Sequence, residues 1–196
     1  MKRLSLALTL LALTAAPALA HVGQGAHGSF QAGFLHPLAG LDHLLAMVAA
    51  GLWASLIAAG TGRRWALWLV PAAFVALMTL GFGAALAGAP LPFVEPVILA
   101  SVVALGLLVA SAVSVPVWAG MAAVGFFALF HGHAHGTELA GAVALPYAAG
   151  FALATALLHA VGLGIGMMIG GAPGRLLARI AGAAAALGGV WLALGA

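Results

Sequence analysis

The chain has no cysteine among its 196 residues. That excludes disulfides, cysteine-type zinc sites, iron–sulfur clusters and capture of copper(I) by thiolates. Charge is almost as scarce. Six Lys or Arg and three Asp or Glu make up 5% of the residues, whereas soluble domains carry about 25%. No basic run or aromatic-interleaved basic patch is present, so nothing points to nucleic acid. The sequence pI near 10.8 reflects a small imbalance among few charges. No phosphate-cradling P-loop occurs, so transport chemistry driven by that device is excluded, and His-Glu-x-x-His is missing as well.

What remains is apolar. Hydrophobic residues make up 65% of the chain, and the mean hydropathy is +1.24. The composition predicts an all-α integral membrane protein, a bundle of about six transmembrane helices behind a cleavable signal peptide. Residues 1–20 carry the signal pattern: a basic start at Lys2-Arg3, a short apolar stretch, and a small-x-small end at Ala18-Leu19-Ala20. Residues 21–33 read as an external, periplasmic tail and 34–196 as the six-span domain. The apolar runs fall near 34–59, 65–88, 95–113, 117–137, 143–170 and 174–194, most with about the 20 residues that ~30 Å of hydrocarbon requires. The join between the third and fourth runs is short and uncharged, and this pair is the least sharply divided.

The basic residues test the topology. With an external mature N-terminus, Arg63, Arg64, Arg175 and Arg179 all fall on the cytoplasmic side, as the positive-inside rule asks. Six spans then return the C-terminus to the outside of a bacterial inner membrane. Gly162, Gly166 and Gly170 recur at every fourth position and read as a helix-packing seam. The alternative for that seam is a cofactor cleft. The first polar motif opens its helix while the second closes its own, which argues against an internal repeat.

Two of the three acidic residues stand beside histidines inside apolar stretches. One stretch is His36-Pro37-Leu38-Ala39-Gly40-Leu41-Asp42-His43, the other Phe130-His131-Gly132-His133-Ala134-His135-Gly136-Thr137-Glu138. An ionisable side chain costs roughly 2.5–3.5 kcal/mol at the centre of a spanning helix, so such groups mark function. Imidazole with carboxylate suits a borderline divalent cation. His131, His135 and Glu138 share one helical face at i, i+4, i+7, and His133 points away. Pro37 sits either in the first turn of its helix or within a helix that begins earlier and kinks there. On one continuous helix His36 and His43 would point the same way, about 10 Å apart in height. The loop charges bring both motifs to the outer side. The candidate metal set is therefore His36, Asp42, His43, His131, His135 and Glu138. The plainer alternative is a set of hydrogen bonds tying helices together. Secondary candidates are His21 and His27, which could collect ions at the entrance, and His159, either a packing residue or a second stop inward. Met47 offers a soft contact below His43 or simple packing. Glu95 reads as a solvated boundary residue.

At these motifs the chain resembles the HupE/UreJ family of nickel/cobalt permeases. That family carries His-Pro-x-x-Gly-x-Asp-His in its first mature span, matched by His36, Pro37, Gly40, Asp42 and His43. Its second stretch, Phe-His-Gly-x-Ala-His-Gly-x-Glu, is matched by Phe130, His131, Gly132, Ala134, His135, Gly136 and Glu138. The resemblance covers the whole chain. It implies import of Ni2+ or Co2+ as transported substrate; the donor chemistry keeps Zn2+ in range, and no prosthetic group is expected. It further implies no enzymatic activity and a link to a nickel-enzyme maturation pathway. Three rival readings stand beside it: a haem protein with two histidine axial ligands, an intramembrane metalloenzyme, and a metal-sensing membrane subunit.

Overall fold

The computed structural model describes residues 26–139, 141–168 and 171–195. The expected signal segment 1–20 and His21 lie outside them, as does the side chain of His27. The described chain is all helical. Its elements are α1 (Ala26–Ala39), α2 (Leu41–Thr61), α3 (Ala66–Leu86), α4 (Val94–Ala110), α5 (Val117–Thr137), α6 (Ala144–Met168) and α7 (Gly171–Ala193). Five of these, α2, α3, α5, α6 and α7, hold stretches long and apolar enough to cross a membrane. The third apolar run becomes α4, of 17 residues, or about 25 Å at 1.5 Å per residue, the short end of what a span needs.

The helix count differs from the six that hydropathy predicts because α1 is a separate element. Sequence places a weakly hydrophobic tail over 21–33, yet from Ala26 the chain is helical. Packing rather than propensity holds it. The helix lies along α6, Ser29 is buried, and its Oγ accepts the Val143 N–H at 2.8 Å. The helix runs through Pro37 and ends at Ala39. Gly40 then adopts an extended backbone, φ −89° and ψ 117°, before α2 starts. A methyl group at Gly40 would lie 2.8 Å from Asp42 Oδ1 and 3.1 Å from His43 Nδ1, so glycine is what lets these side chains fold back against the break.

Helix α2 is central: it packs against each of the other six. Its buried side chains include Met47, Trp53 and Ile57, which assigns Met47 to packing. Helix α3 lies along α5, and α4 along α7. The α3–α5 approach is close because a methyl group at Gly132 would collide with the Met78 carbonyl. The expected seam is present where it is described: Gly162 faces the α2 backbone at Val48 and Leu52, and Gly166 faces Ser55. Outward faces remain apolar, with Trp68, Leu80, Leu107, Trp118 and Leu157 exposed, as lipid-facing surfaces are. The short α4–α5 join is tied down by Trp53 Nε1–H donating to the Val113 carbonyl at 2.9 Å and by Arg179 Nε–H donating to the Ala110 carbonyl at 2.8 Å.

Candidate metal centre

Chain direction alternates along the bundle, so the start of α2, the end of α5 and the start of α6 meet at one end. The α1–α2 break delivers His36 there from one helix and Asp42 and His43 from the next. This corrects the single-helix geometry that puts His36 and His43 about 10 Å apart. Their ring centroids are 6.2 Å apart, because the extended Gly40 turns the chain back instead of letting it rise.

The imidazoles form a connected line. His36 meets His135 edge to face at 4.6 Å between centroids. His135 meets His43 at 4.6 Å, and His43 meets His131 at 4.9 Å. Glu138 stands at the outer end, its Oε2 3.3 Å from His36 Nε2 and 4.0 Å from His135 Nδ1. One ligand atom from each of His36, His135 and Glu138 falls within 4.8 Å of the others. The two ends of the line differ in exposure. The Glu138 and His36 side chains are 48% and 36% exposed, His43 is 10%, and His135 and His131 are 0%. The site thus opens at Glu138 and closes toward His131. All six primary candidates from the sequence lie within this one cluster.

Hydrogen bonds fix which nitrogens are free. Asp42 Oδ1 lies 2.8 Å from His43 Nδ1. A carboxylate only accepts, so His43 carries its proton on Nδ1, and its Nε2 has no hydrogen bond among the described residues. Asp42 Oδ1 also accepts the His43 backbone N–H at 2.8 Å. Ser101 works from the other side. Its hydroxyl donates to the Ile98 carbonyl at 2.6 Å, so its oxygen accepts from His131 Nε2–H at 2.9 Å. That leaves His131 Nδ1 without its proton and without a partner. Both ring nitrogens of the fully buried His135 are likewise unpaired among the described residues. Its ring rests on Phe151, 3.8 Å between centroids. Buried polar groups normally find partners; these four nitrogens lack hydrogen bonds among the described residues, and three of them, one from each ring, could offer a lone pair to a cation. At the exposed end, burial holds the His36 imidazole below its ordinary pKa range, with the Glu138 carboxylate opposing the shift.

Three further residues belong here that the motifs do not reveal. Ser101 comes from α4, 30 positions from the histidine it orients. Tyr147, the chain's one tyrosine, has a buried hydroxyl without a hydrogen bond among the described residues and a ring 6.2 Å from His36. Phe74 on α3 is fully buried and contacts His131 at 5.8 Å and His159 at 4.8 Å. His159 itself is 1% exposed, lies deeper along α6 and joins none of the outer four. His133 points away, as its helical phase predicts, and donates Nε2–H to the Ala89 carbonyl at 2.8 Å. Glu95 is exposed in the first turn of α4.

With this geometry in hand, comparison with known proteins is specific. A family model described as HupE / UreJ protein matches residues 8–192. Protein HupE of Rhizobium leguminosarum bv. viciae is 46% identical over 189 residues, which cover 95% of this chain and 96% of that protein. No solved structure matches the chain.

Proposed function

From the premise that the chain belongs to the HupE/UreJ family, we propose that it is a six-span inner-membrane permease importing a divalent transition-metal cation, Ni2+ or Co2+. Its transmembrane spans are α2 to α7, and its mature N-terminus is external. The cation is gathered by His21 and His27, then sheds water at Glu138, His36 and His135. It moves on to His43 and His131, and inward to His159. The observation that carries this reading is the convergence of four imidazoles and a carboxylate from α1, α2 and α5, with nitrogens of His43, His131 and His135 left without hydrogen bonds among the described residues. Without thiolates the site favours no soft ion, and raw affinity does not favour Ni2+ over Cu2+ or Zn2+, so selectivity rests on geometry. Two charges moving down an interior-negative potential gain about 4.6 kcal/mol per 100 mV, which can drive entry without ATP. Two imidazoles meeting edge to face cannot lie on opposite sides of a porphyrin, so the geometry argues against a haem site.

Uptake into proteoliposomes with Ni2+, Co2+ and Zn2+ in competition tests the proposal. Metal-dependent influx with preference for Ni2+ or Co2+ is expected, and a purified protein that moves none of the three overturns it.

Asp42 and Ser101 act through the histidines they orient. A carboxylate behind a metal-bound imidazole raises its basicity and fixes its tautomer, and losing such a partner weakens metal binding about 10–100-fold. Asp42→Ala is therefore expected to lower Ni2+ affinity by about that factor in calorimetric titration. An unchanged affinity would mean that His43 needs no carboxylate behind it. Ser101→Ala frees His131 to protonate on either nitrogen, and about a tenfold loss is expected at the low end of the same range. Ser101→Thr, which keeps the hydroxyl, should restore most of it.

A further inference from the structure

The opposite end of the bundle holds a second polar site that the metal route does not use. The 62–65 and 111–116 connections and the start of α7 gather there around a cavity of about 520 Å³. Arg64, Arg175, Ser55, Ser114, Gly60 and Gly166 line it, together with apolar side chains such as Leu56 and Leu67. It contains two guanidinium groups and no carboxylate. The chain's three acidic residues cannot supply one, because Asp42, Glu95 and Glu138 all lie at the histidine end. The other arginines nearby are engaged: Arg63 lies over the Trp65 ring at 5.8 Å, and Arg179 is bonded to the Ala110 carbonyl. The guanidinium groups of Arg64 and Arg175 have no hydrogen-bond or ion-pair partner among the described residues. Ser114 completes the set. Gly60 leaves room for its hydroxyl, since a methyl group at Gly60 would collide with it.

We propose that this cavity binds a phosphate group, carried by an anionic phospholipid headgroup or by a free phosphate. Guanidinium groups match phosphate oxygens bidentately, and basic pockets between helices on the cytoplasmic side hold such headgroups. The Ser114 hydroxyl adds a third donor. The apolar remainder of the lining suits the glycerol and first methylenes of a lipid. Gly166 lies two turns beyond His159 on α6, about 10 Å. On the transport reading above, a phosphate there also neutralises two positive charges close to where a dication would leave.

Native mass spectrometry of the full purified protein, titrated separately with phosphatidylglycerol, phosphatidylcholine and inorganic phosphate, tests this. Discrete phosphatidylglycerol adducts are expected on the wild type, reduced at least tenfold in Arg64→Gln/Arg175→Gln. Ni2+ binding at the far end should be unchanged, which reports an intact fold. Adducts with phosphatidylglycerol and none with free phosphate identify the headgroup as the source, and the reverse identifies a free anion. Either result supports the site. If the double variant does not purify folded, the single variants are each expected to lose several-fold. Equal retention of phosphatidylglycerol and phosphatidylcholine, indifferent to both arginines, overturns the proposal whether or not the protein transports metal.

Discussion

His135→Ala is expected to abolish metal uptake and to remove high-affinity binding at the outer site together. His135 is the shared member of the imidazole line: it touches His36 and His43 and shares a ligand-distance cluster with Glu138 and His36. Removing an orienting partner already costs about 10–100-fold, so removing a ligand common to both halves of the site should exceed about 100-fold. The structural alternative predicts a different pattern. If His135 merely packed, its loss would lower stability and leave the remaining residues able to bind. Neither of its nitrogens has a hydrogen bond among the described residues, so none is sacrificed; the cost to the fold is the cavity beside Phe151. Calorimetric titration and proteoliposome influx on the same preparation separate these outcomes. A variant that binds Ni2+ within a few-fold of wild type would show that the line of imidazoles is not the ligand set.

The residues of that line were legible in sequence because several constraints agreed. His131, His135 and Glu138 keep one helical phase, and the arginine pattern sets both motifs at the same end. What periodicity could not give was the break at Gly40. A continuous apolar run hides a helix end when no cap residue marks it, and Gly40 has no side-chain cap bond. The helix before the break was equally obscure. Its Gly-containing, weakly hydrophobic sequence favours no helix by itself, and α1 forms because α6 offers a surface to cover. Ser101 and Phe74 lie outside both motifs, where a serine or phenylalanine in an apolar run carries no signal. Their roles follow only from tertiary contacts 30 and 57 positions away from His131, at Ser101 and Phe74 respectively.

His159→Leu is expected to separate binding from passage. The two ring nitrogens of His159 are buried and have no hydrogen bond among the described residues, and Thr155 one turn away spends its hydroxyl on Met78 Sδ at 3.7 Å. A histidine kept for packing would normally find a hydrogen-bond partner in such a setting, because an unpaired buried polar group costs about 1–3 kcal/mol. Leucine removes that cost while filling similar space, so the variant should unfold at the same temperature as wild type or higher. Outer-site affinity should stay within a few-fold, since His159 touches none of the outer four rings. Influx should fall more than tenfold, because a cation leaving His131 would find no ligand beyond the Phe74 ring. Phe74 lies between the two proposed stations: it is fully buried and its ring contacts both histidines, and on the transport reading an aromatic face there would attract a cation without ligating it. Phe74→Leu keeps the bulk and removes that attraction, so its flux should drop with outer-site affinity intact, as for His159→Leu. A less stable His159→Leu protein with wild-type influx would assign His159 to packing and end the inner half of the route at His131.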